Sequence, residues 1–227
     1  PHIRTAIAYD AESKIVESMR PNGVLIAQIT PRGGLISGSS SVMQLDAWNW
    51  EDAVIKADEG IHLNWPSPYT RGRSWIGEDP ALKVSTNYIS RTEKIKTFFE
   101  NAKVYDSNQD PVHLPYQAMK GLFQGSKTLY LHAKDEKQIV DGVRYLEKIG
   151  IAKIVLVGGN EALEQLQFLK EKNIPVIVSR PHRLPDNEDH HPKAAFQLAA
   201  ELVKAGLIVS IDVSGRMERM YTRNLPF

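Results

Sequence analysis

The stretch that decides the fold runs from Thr128 to Asp212 and contains four apolar segments: TLYLHA (128–133), KIVLVGG (153–159), PVIVSRPH (175–182) and GLIVSID (206–212). Each segment is rich in aliphatic residues and ends abruptly in glycine or in a side chain that can bind a metal or handle a proton. In parallel α/β folds, ligands bind and catalytic residues lie at the carboxyl ends of the strands. We therefore expect four strands, at 128–133, 152–157, 175–179 and 207–212, whose carboxyl ends point at one site.

Helical segments separate these strands. The pattern predicts helices at 136–149, 161–172 and 192–206, with a capping box of Asp135 and Gln138 before the first and Asn160 as the N-cap of the second. Strand–helix alternation with short loops indicates parallel strands joined by right-handed crossovers. A (β/α)8 barrel and an open doubly wound sheet both have this pattern. The sequence has no dinucleotide fingerprint and no phosphate loop, which favours a partial or distorted barrel and leaves the open sheet as the alternative.

The first half of the chain is less regular. We predict a helix at 11–20 with Asp10 as its N-cap, a strand at 24–30, a β-rich excursion at 42–66, an exposed loop at 66–80, and helices at 89–105 and 115–124. The glycine- and serine-rich segment from Gly34 to Ser41 has two interpretations. It is a turn leading into another strand, or a loop whose backbone N–H groups bind a small anion.

Length and composition indicate an ordinary globular domain. With 227 residues, 42% hydrophobic and 24% charged, the chain is expected to form a single domain over 1–227. Its apolar runs are too short to cross a bilayer. A net charge of +1 gives no reason to expect nucleic acid or an anionic membrane as a partner. The absence of cysteine leaves histidine and carboxylates as the strong metal ligands. We expect a small-molecule substrate and leave a homo-oligomer open.

Both ends of the sequence suggest a fragment of a longer chain. The sequence begins at Pro1 without methionine and closes on Asn224-Leu225-Pro226-Phe227, with no helix to cover the last predicted strand. The compartment stays open, because an export signal could lie upstream of Pro1.

His132 and Asp212 are the main candidates for chemistry. Each follows a buried strand, where an imidazole or a carboxylate is costly unless it is bonded or binds a ligand. Either residue alone could be structural: His132 a hydrogen-bonded histidine, Asp212 the cap of the next element. Arg180 and His182 follow the third strand and could bind a substrate carboxylate, although a surface ion pair is the commoner role of such an arginine. His62 and His113 have no supporting context.

At these residues the chain resembles the metal-dependent amidohydrolases of the imidazolonepropionase-like group. The resemblance covers about two thirds of the chain and rests on these segments: Asn22-Gly23-Val24 to Thr30 with Pro31, Gly38-Ser39-Ser40, Leu131-His132-Ala133, Leu184-Pro185 with Asp189, Ala194 to Gly206, and Asp212 with Arg223-Asn224-Leu225-Pro226.

The resemblance implies a distorted (β/α)8 barrel that hydrolyses a C–N bond in an amide or cyclic amide. His132 would be a metal ligand. Asp212 would be both a ligand and the strand-eight aspartate that activates the metal-bound water. The cofactor would be a divalent ion, usually zinc, which polarises the scissile amide.

Two departures weaken the metal site. The family's first-strand His-x-His pair is absent, and Gly158-Gly159 stands where the family often has a sixth-strand histidine. His132 and Asp212 are too few ligands for a tight zinc site, so we expect this fragment to be inactive by itself. Two alternatives remain: a non-catalytic barrel relative that binds a small ligand, and an open-sheet module that binds a small anion at the segment from Gly34 to Ser41.

Overall fold

The fold is built on one seven-stranded sheet. The computed structural model describes residues 1–73, 76–79, 81–106, 111–184 and 191–212. In the order of the sheet, the strands are β1 (Ile26–Ile29), β2 (Ile36–Gln44), β3 (Val54–Asn64), β6 (Thr128–Ala133), β7 (Ile154–Gly158), β8 (Val176–Ser179) and β9 (Val209–Asp212). A separate exposed hairpin consists of β4 (Tyr69–Arg71) and β5 (Leu82–Val84).

The strand order decides between the barrel and the open sheet. From β3 to β9 each strand of the large sheet is parallel to the one before it and follows it in chain order. A doubly wound sheet reverses its order at a switch point, and no reversal occurs among these strands. The sheet curls into a half-barrel, with β1 and β2 added as antiparallel strands at one edge. The predicted partial barrel is confirmed.

Among the described residues, seven α-helices accompany this sheet, and the last five of them share one apolar core with its parallel strands. The seven are α1 (Lys14–Met19), α2 (Trp50–Ala53), α3 (Tyr88–Val104), α4 (Leu114–Phe123), α5 (Glu136–Ile149), α6 (Leu166–Glu171) and α7 (Ala194–Lys204). Alternate residues of β6, namely Leu129, Leu131 and Ala133, are buried in one apolar core together with residues of α3, α4, α5, α6 and α7. A smaller core lies between α1, β1 and β2.

Side-chain alternation leaves the opposite, inner face of the sheet for polar groups. Successive side chains of a strand point to opposite faces. Ile61 and Leu63 of β3 therefore join the helix-side core, whereas His62 and Asn64 lie on the inner face. In β6 the inner residues are Tyr130 and His132, and Asn64 pairs with His132. This register places the candidate histidine at the carboxyl end of a central strand.

Of the three N-caps that the sequence predicts, one is confirmed and two are wrong. The predicted capping box is confirmed, and α5 ends as expected at Gly150, whose φ is 96°. The helix α6 begins only at Leu166, because the backbone N–H of Glu161 bonds to the carbonyl of Lys134 and tight turns follow it. Asn160 is therefore not its cap. Similarly, α1 begins at Lys14 with Ser13 as its cap instead of Asp10.

The segment from residue 36 to residue 64 is part of the main sheet. Gly38 and Ser39–41 lie inside β2, and the three serines are buried, so the turn-into-strand interpretation is correct and the anion-binding loop does not form. The expected β-rich excursion is instead β2, the short helix α2 and the long strand β3, which is the first parallel strand of the half-barrel. In the described ranges, no helix combines the length and the apolar character that crossing a bilayer requires.

Candidate functional site

A cavity of about 830 Å³ opens at the carboxyl ends of the central strands. Its described lining comes from the residues that end or follow four consecutive strands of the sheet: Asn64, Trp65 and Ser67 after β3, residues 132–135 with Gln138 at β6, Val157, Gly158 and Asn160 at β7, and Ser179, Arg180, Arg183 and Leu184 at β8. Of the four strands that the sequence predicts to converge, β6, β7 and β8 reach the cavity. The fourth strand at the described lining is β3 in place of β9.

His132 lies on the inner face of β6 and lines this cavity. Its ring is partly buried, and this burial lowers the pKa of His132 to about 4. A neutral imidazole at neutral pH is able to accept a proton, donate a hydrogen bond or bind a metal.

His62 is the closest polar partner of His132. Its Nδ1 lies 2.8 Å from Nε2 of His132, a hydrogen bond in which one nitrogen donates and the other accepts. His62 is 2% exposed, and its own Nε2 is buried without a hydrogen bond. Burial, and secondarily the neighbouring His132, lowers the pKa of His62 to about 3. The two rings therefore form a neutral pair in which His62 is fully buried and His132 is partly buried.

A second polar layer lies beneath this pair. The ring of His62 stacks on Tyr130, with ring centres 4.6 Å apart and planes 9° from parallel. The Tyr130 hydroxyl donates to Oε2 of Glu59 over 3.2 Å, and burial and the Glu59 charge raise the pKa of Tyr130 to about 12. Glu59 is itself buried and accepts hydrogen bonds at Oε1 from Gln28 and Ser40.

Among the described lining residues of the cavity, cationic side chains outnumber acidic ones. Lys134, Arg180 and Arg183 line it, and Asp135 is the one carboxylate among its described lining residues. Asp135 is occupied as the N-cap of α5, and burial raises its pKa despite its hydrogen bonds. Arg180 has a φ of 52°, and such a left-handed conformation costs a non-glycine residue about 1 kcal/mol or more. The lining therefore suits a ligand with an anionic group.

The other two predicted site residues lie away from His132. Asp212 ends β9, where it pairs with Ser179, and its carbonyl accepts a hydrogen bond from the backbone N–H of Arg180 over 3.0 Å. Two strands, β7 and β8, separate it from His132 in the sheet. His182 packs on Phe196 of α7, with ring centres 5.6 Å apart. Neither residue is among the described lining of the cavity. Asp189 and residues 223–226 lie outside the described residues.

A divalent metal ion fits the described residues only in part. Within the described ranges, no three His, Asp or Glu side chains are close enough together to hold one. Two nitrogens bound to one tetrahedral zinc ion at 2.0–2.1 Å would lie about 3.4 Å apart. The 2.8 Å between His62 and His132 is shorter and matches a hydrogen bond. The described residues therefore do not form a complete zinc site.

Comparison with known proteins supports the architecture. No family model and no curated protein matches this chain. A solved amidohydrolase from Thermotoga maritima is similar to it with a TM-score of 0.77 and 17% sequence identity, over 97% of this chain and 59% of that protein. The shared feature is the fold. The chain thus spans about three fifths of the length of that amidohydrolase.

Sequence reasoning missed His62 and Glu59. Both lie in β3, in the run Glu59-Gly60-Ile61-His62-Leu63-Asn64. The alternation of Ile61 and Leu63 with His62 and Asn64 is the signal of a half-buried strand. Had that strand been aligned beside TLYLHA, His62 would have been placed next to the inner face of β6.

Proposed function

We propose that this chain is part of an amidohydrolase that cleaves a C–N bond in an amide or cyclic amide. The observation that carries the proposal is His132: it lines a cavity at the carboxyl ends of barrel strands, in a fold shared with a protein named amidohydrolase. Carboxyl ends of parallel barrel strands are where such folds place their chemistry.

The substrate of this proposal is a small molecule with an anionic group. A cavity of about 830 Å³ is in the range of small-molecule sites. Arg180 is the proposed clamp for a substrate carboxylate, with Lys134 and Arg183 adding positive charge to the same cavity. His182 stays a proposed substrate-side residue next to Arg180 in sequence.

The divalent ion, zinc, that the resemblance implies belongs to the same proposal. His132 and Asp212 would be its ligands in this chain, with Asp212 also the proposed proton acceptor; the metal would supply polarisation of the amide. Since the described residues supply no group of three ligands, any further ligands would have to come from residues other than those described.

A second candidate function is small-ligand binding without catalysis. The observation that favours it is the end of β7, where Gly158 and Gly159 provide neither a ligand nor an acid–base group. In this case the cavity would bind an anionic molecule through Arg180, and His132 would contact that molecule without taking part in a reaction.

Replacement of His132 tests the enzymatic proposal. The protein from its complete reading frame is assayed on N-acyl amino acids and on five-membered lactams, with metal content measured by mass spectrometry. We expect His132→Ala to lower kcat/KM by about 100-fold or more and to reduce bound metal, with His2→Ala, a surface histidine change, as the control. Unchanged hydrolysis in His132→Ala would refute the assignment. Absence of hydrolysis in the unmodified protein, with saturable binding that Arg180→Ala removes, would favour the binding function.

A further inference from the structure

The hydrogen bond between His62 and His132 occupies one specific nitrogen of the candidate residue. Nε2 of His132 faces Nδ1 of His62 at 2.8 Å, whichever of the two nitrogens carries the proton. Nδ1 of His132 makes no hydrogen bond within the described residues. Since His132 lines the cavity, Nδ1 is the nitrogen that a molecule in the cavity can reach.

His62 is held firmly enough to fix its neighbour. Its ring lies against the face of Tyr130 and is almost fully buried. Tyr130 is fixed in turn, because its hydroxyl is bonded to Glu59 and its ring lies over Gly60, where any side chain would collide with it. A ring fixed by packing on one face and by a hydrogen bond at its edge has little freedom to turn.

We propose that His62 is a positioning residue for this site: it holds Nε2 of His132, so that His132 acts on the contents of the cavity through Nδ1. The proposal rests on the proposed function only for the statement that His132 acts chemically. It assigns to β3 a role that the sequence did not suggest, and it assigns to the buried layer of Tyr130 and Glu59 the role of supporting His62.

The first test measures the hydrogen bond itself and needs no activity. In protein labelled with ¹⁵N histidine, we expect a scalar coupling across the hydrogen bond between Nδ1 of His62 and Nε2 of His132. Absence of the coupling in the folded protein would overturn the proposal whether or not the protein hydrolyses amides.

The second test uses replacements that differ in the atom they leave at the Nδ1 position. His62→Asn keeps an amide group near that position, whereas His62→Phe keeps the ring stack on Tyr130 and removes both nitrogens. With hydrolysis of N-acyl amino acids as the readout, we expect His62→Phe to lower kcat about 10- to 100-fold at unchanged KM. His62→Asn is expected to retain kcat within about threefold, as is the remote control His113→Asn.

Comparison of the two variants separates positioning from mere stability. Circular dichroism and thermal unfolding of each variant show whether it is folded. Equal losses of kcat in folded His62→Asn and folded His62→Phe would refute positioning by a hydrogen bond. If the unmodified protein hydrolyses nothing, the proposed function fails, and the ring coupling alone decides the position of His132.

Discussion

Two neutral imidazoles buried side by side make the stability of this fold sensitive to acid. Burial lowers the pKa of His62 from 6.5 to about 3 and that of His132 to about 4. Between pH 6.5 and about 4, the unfolded chain therefore binds protons that the folded chain does not. The free energy of unfolding must fall as the pH falls through this window, by about 3 kcal/mol for His62 alone between pH 6.5 and 4.

Urea unfolding at pH 7.0, 5.5 and 4.5 tests this prediction. The His62→Phe variant lacks one of the two titrating groups, so its free energy of unfolding is expected to fall less steeply between pH 7.0 and 4.5 than that of the unmodified protein. Tyr130→Phe is the matched control, because it alters the same layer and keeps both imidazoles. Parallel curves for all three proteins would contradict the buried, neutral pair.

At the scale of single residues, the sequence predicted where a residue lies along its strand. It did not predict which residue of a neighbouring strand it contacts. His132 could be found because a strand end is visible in the sequence around it. His62 could not be paired with it, because the two residues are 70 positions apart and meet only when β3 aligns with β6. The same limit applies to Glu59, whose burial depends on Gln28, Ser40 and Tyr130 from three other strands.

Among the secondary-structure elements, α5 is stabilised by the hydrogen bonds of its first turn. The Asp135 carboxylate accepts the backbone N–H of Gln138 over 2.9 Å, and the Gln138 side chain accepts the N–H groups of Lys134 and Asp135. Gln138 also donates to the carbonyl of Trp65 over 2.7 Å, which joins the start of α5 to the end of β3. The cap therefore stabilises the helix and one wall of the cavity together.

Loss of this cap should be measurable as a loss of stability. We expect Asp135→Ala to lower the free energy of unfolding by about 1 kcal/mol, and Asp135→Asn, which retains a capping oxygen, to lower it by much less. Urea unfolding at pH 7 measures both. A loss in Asp135→Asn as large as that in Asp135→Ala would mean that the carboxylate charge, and not the cap, carries the effect.

Elements with strong local signals were predicted well. The strands from β6 to β9 and the helices α3, α4 and α5 lie within about two residues of their predicted bounds, because apolar runs, prolines, caps and glycines mark them. The strand β2 was predicted poorly, since its buried serines look like a loop until Ser40 bonds to Glu59. The helix α6 is shorter than its pattern because a nonlocal bond from Glu161 to Lys134 holds its first residues in turns.

For the whole molecule, the apolar core that stabilises the half-barrel and the residues of the candidate site lie on opposite faces of the sheet. The helix side of the sheet holds the large apolar core, and the inner side holds His62, His132, Tyr130 and the cavity. An order without reversal among the five parallel strands, β3 and β6 to β9, puts their carboxyl ends on one rim and, through right-handed crossovers, the helices that connect them on one side. Sequence alternation predicted parallel strands and favoured the barrel over the open sheet, whereas the contents of the inner face depend on which strands become neighbours.

The contact between the helix layer and the sheet can be tested with one glycine. Gly142 lies in α5 against β6, where an added methyl group would meet Cδ2 of Leu131 at 2.9 Å and Cδ1 at 3.1 Å. Alanine in a helix gains about 1 kcal/mol over glycine, but overpacking a core costs about 1–3 kcal/mol. Because Leu131 is fully buried and has little room to move, we expect Gly142→Ala to be destabilising by about 1 kcal/mol.

Gly142→Ala should stabilise the fold, instead of destabilising it, when Leu131 is replaced by alanine. Leu131→Ala alone is expected to cost about 2–5 kcal/mol through the space it leaves. In that background, the methyl group of Gly142→Ala enters the space and keeps its helical advantage, so the second change should stabilise by about 1 kcal/mol. Free energies of unfolding for the four proteins of this double-mutant cycle measure the coupling. An equal effect of Gly142→Ala in both backgrounds would mean that α5 does not pack on β6 at Leu131, and with it the division of the sheet into a helix face and an inner face would fail.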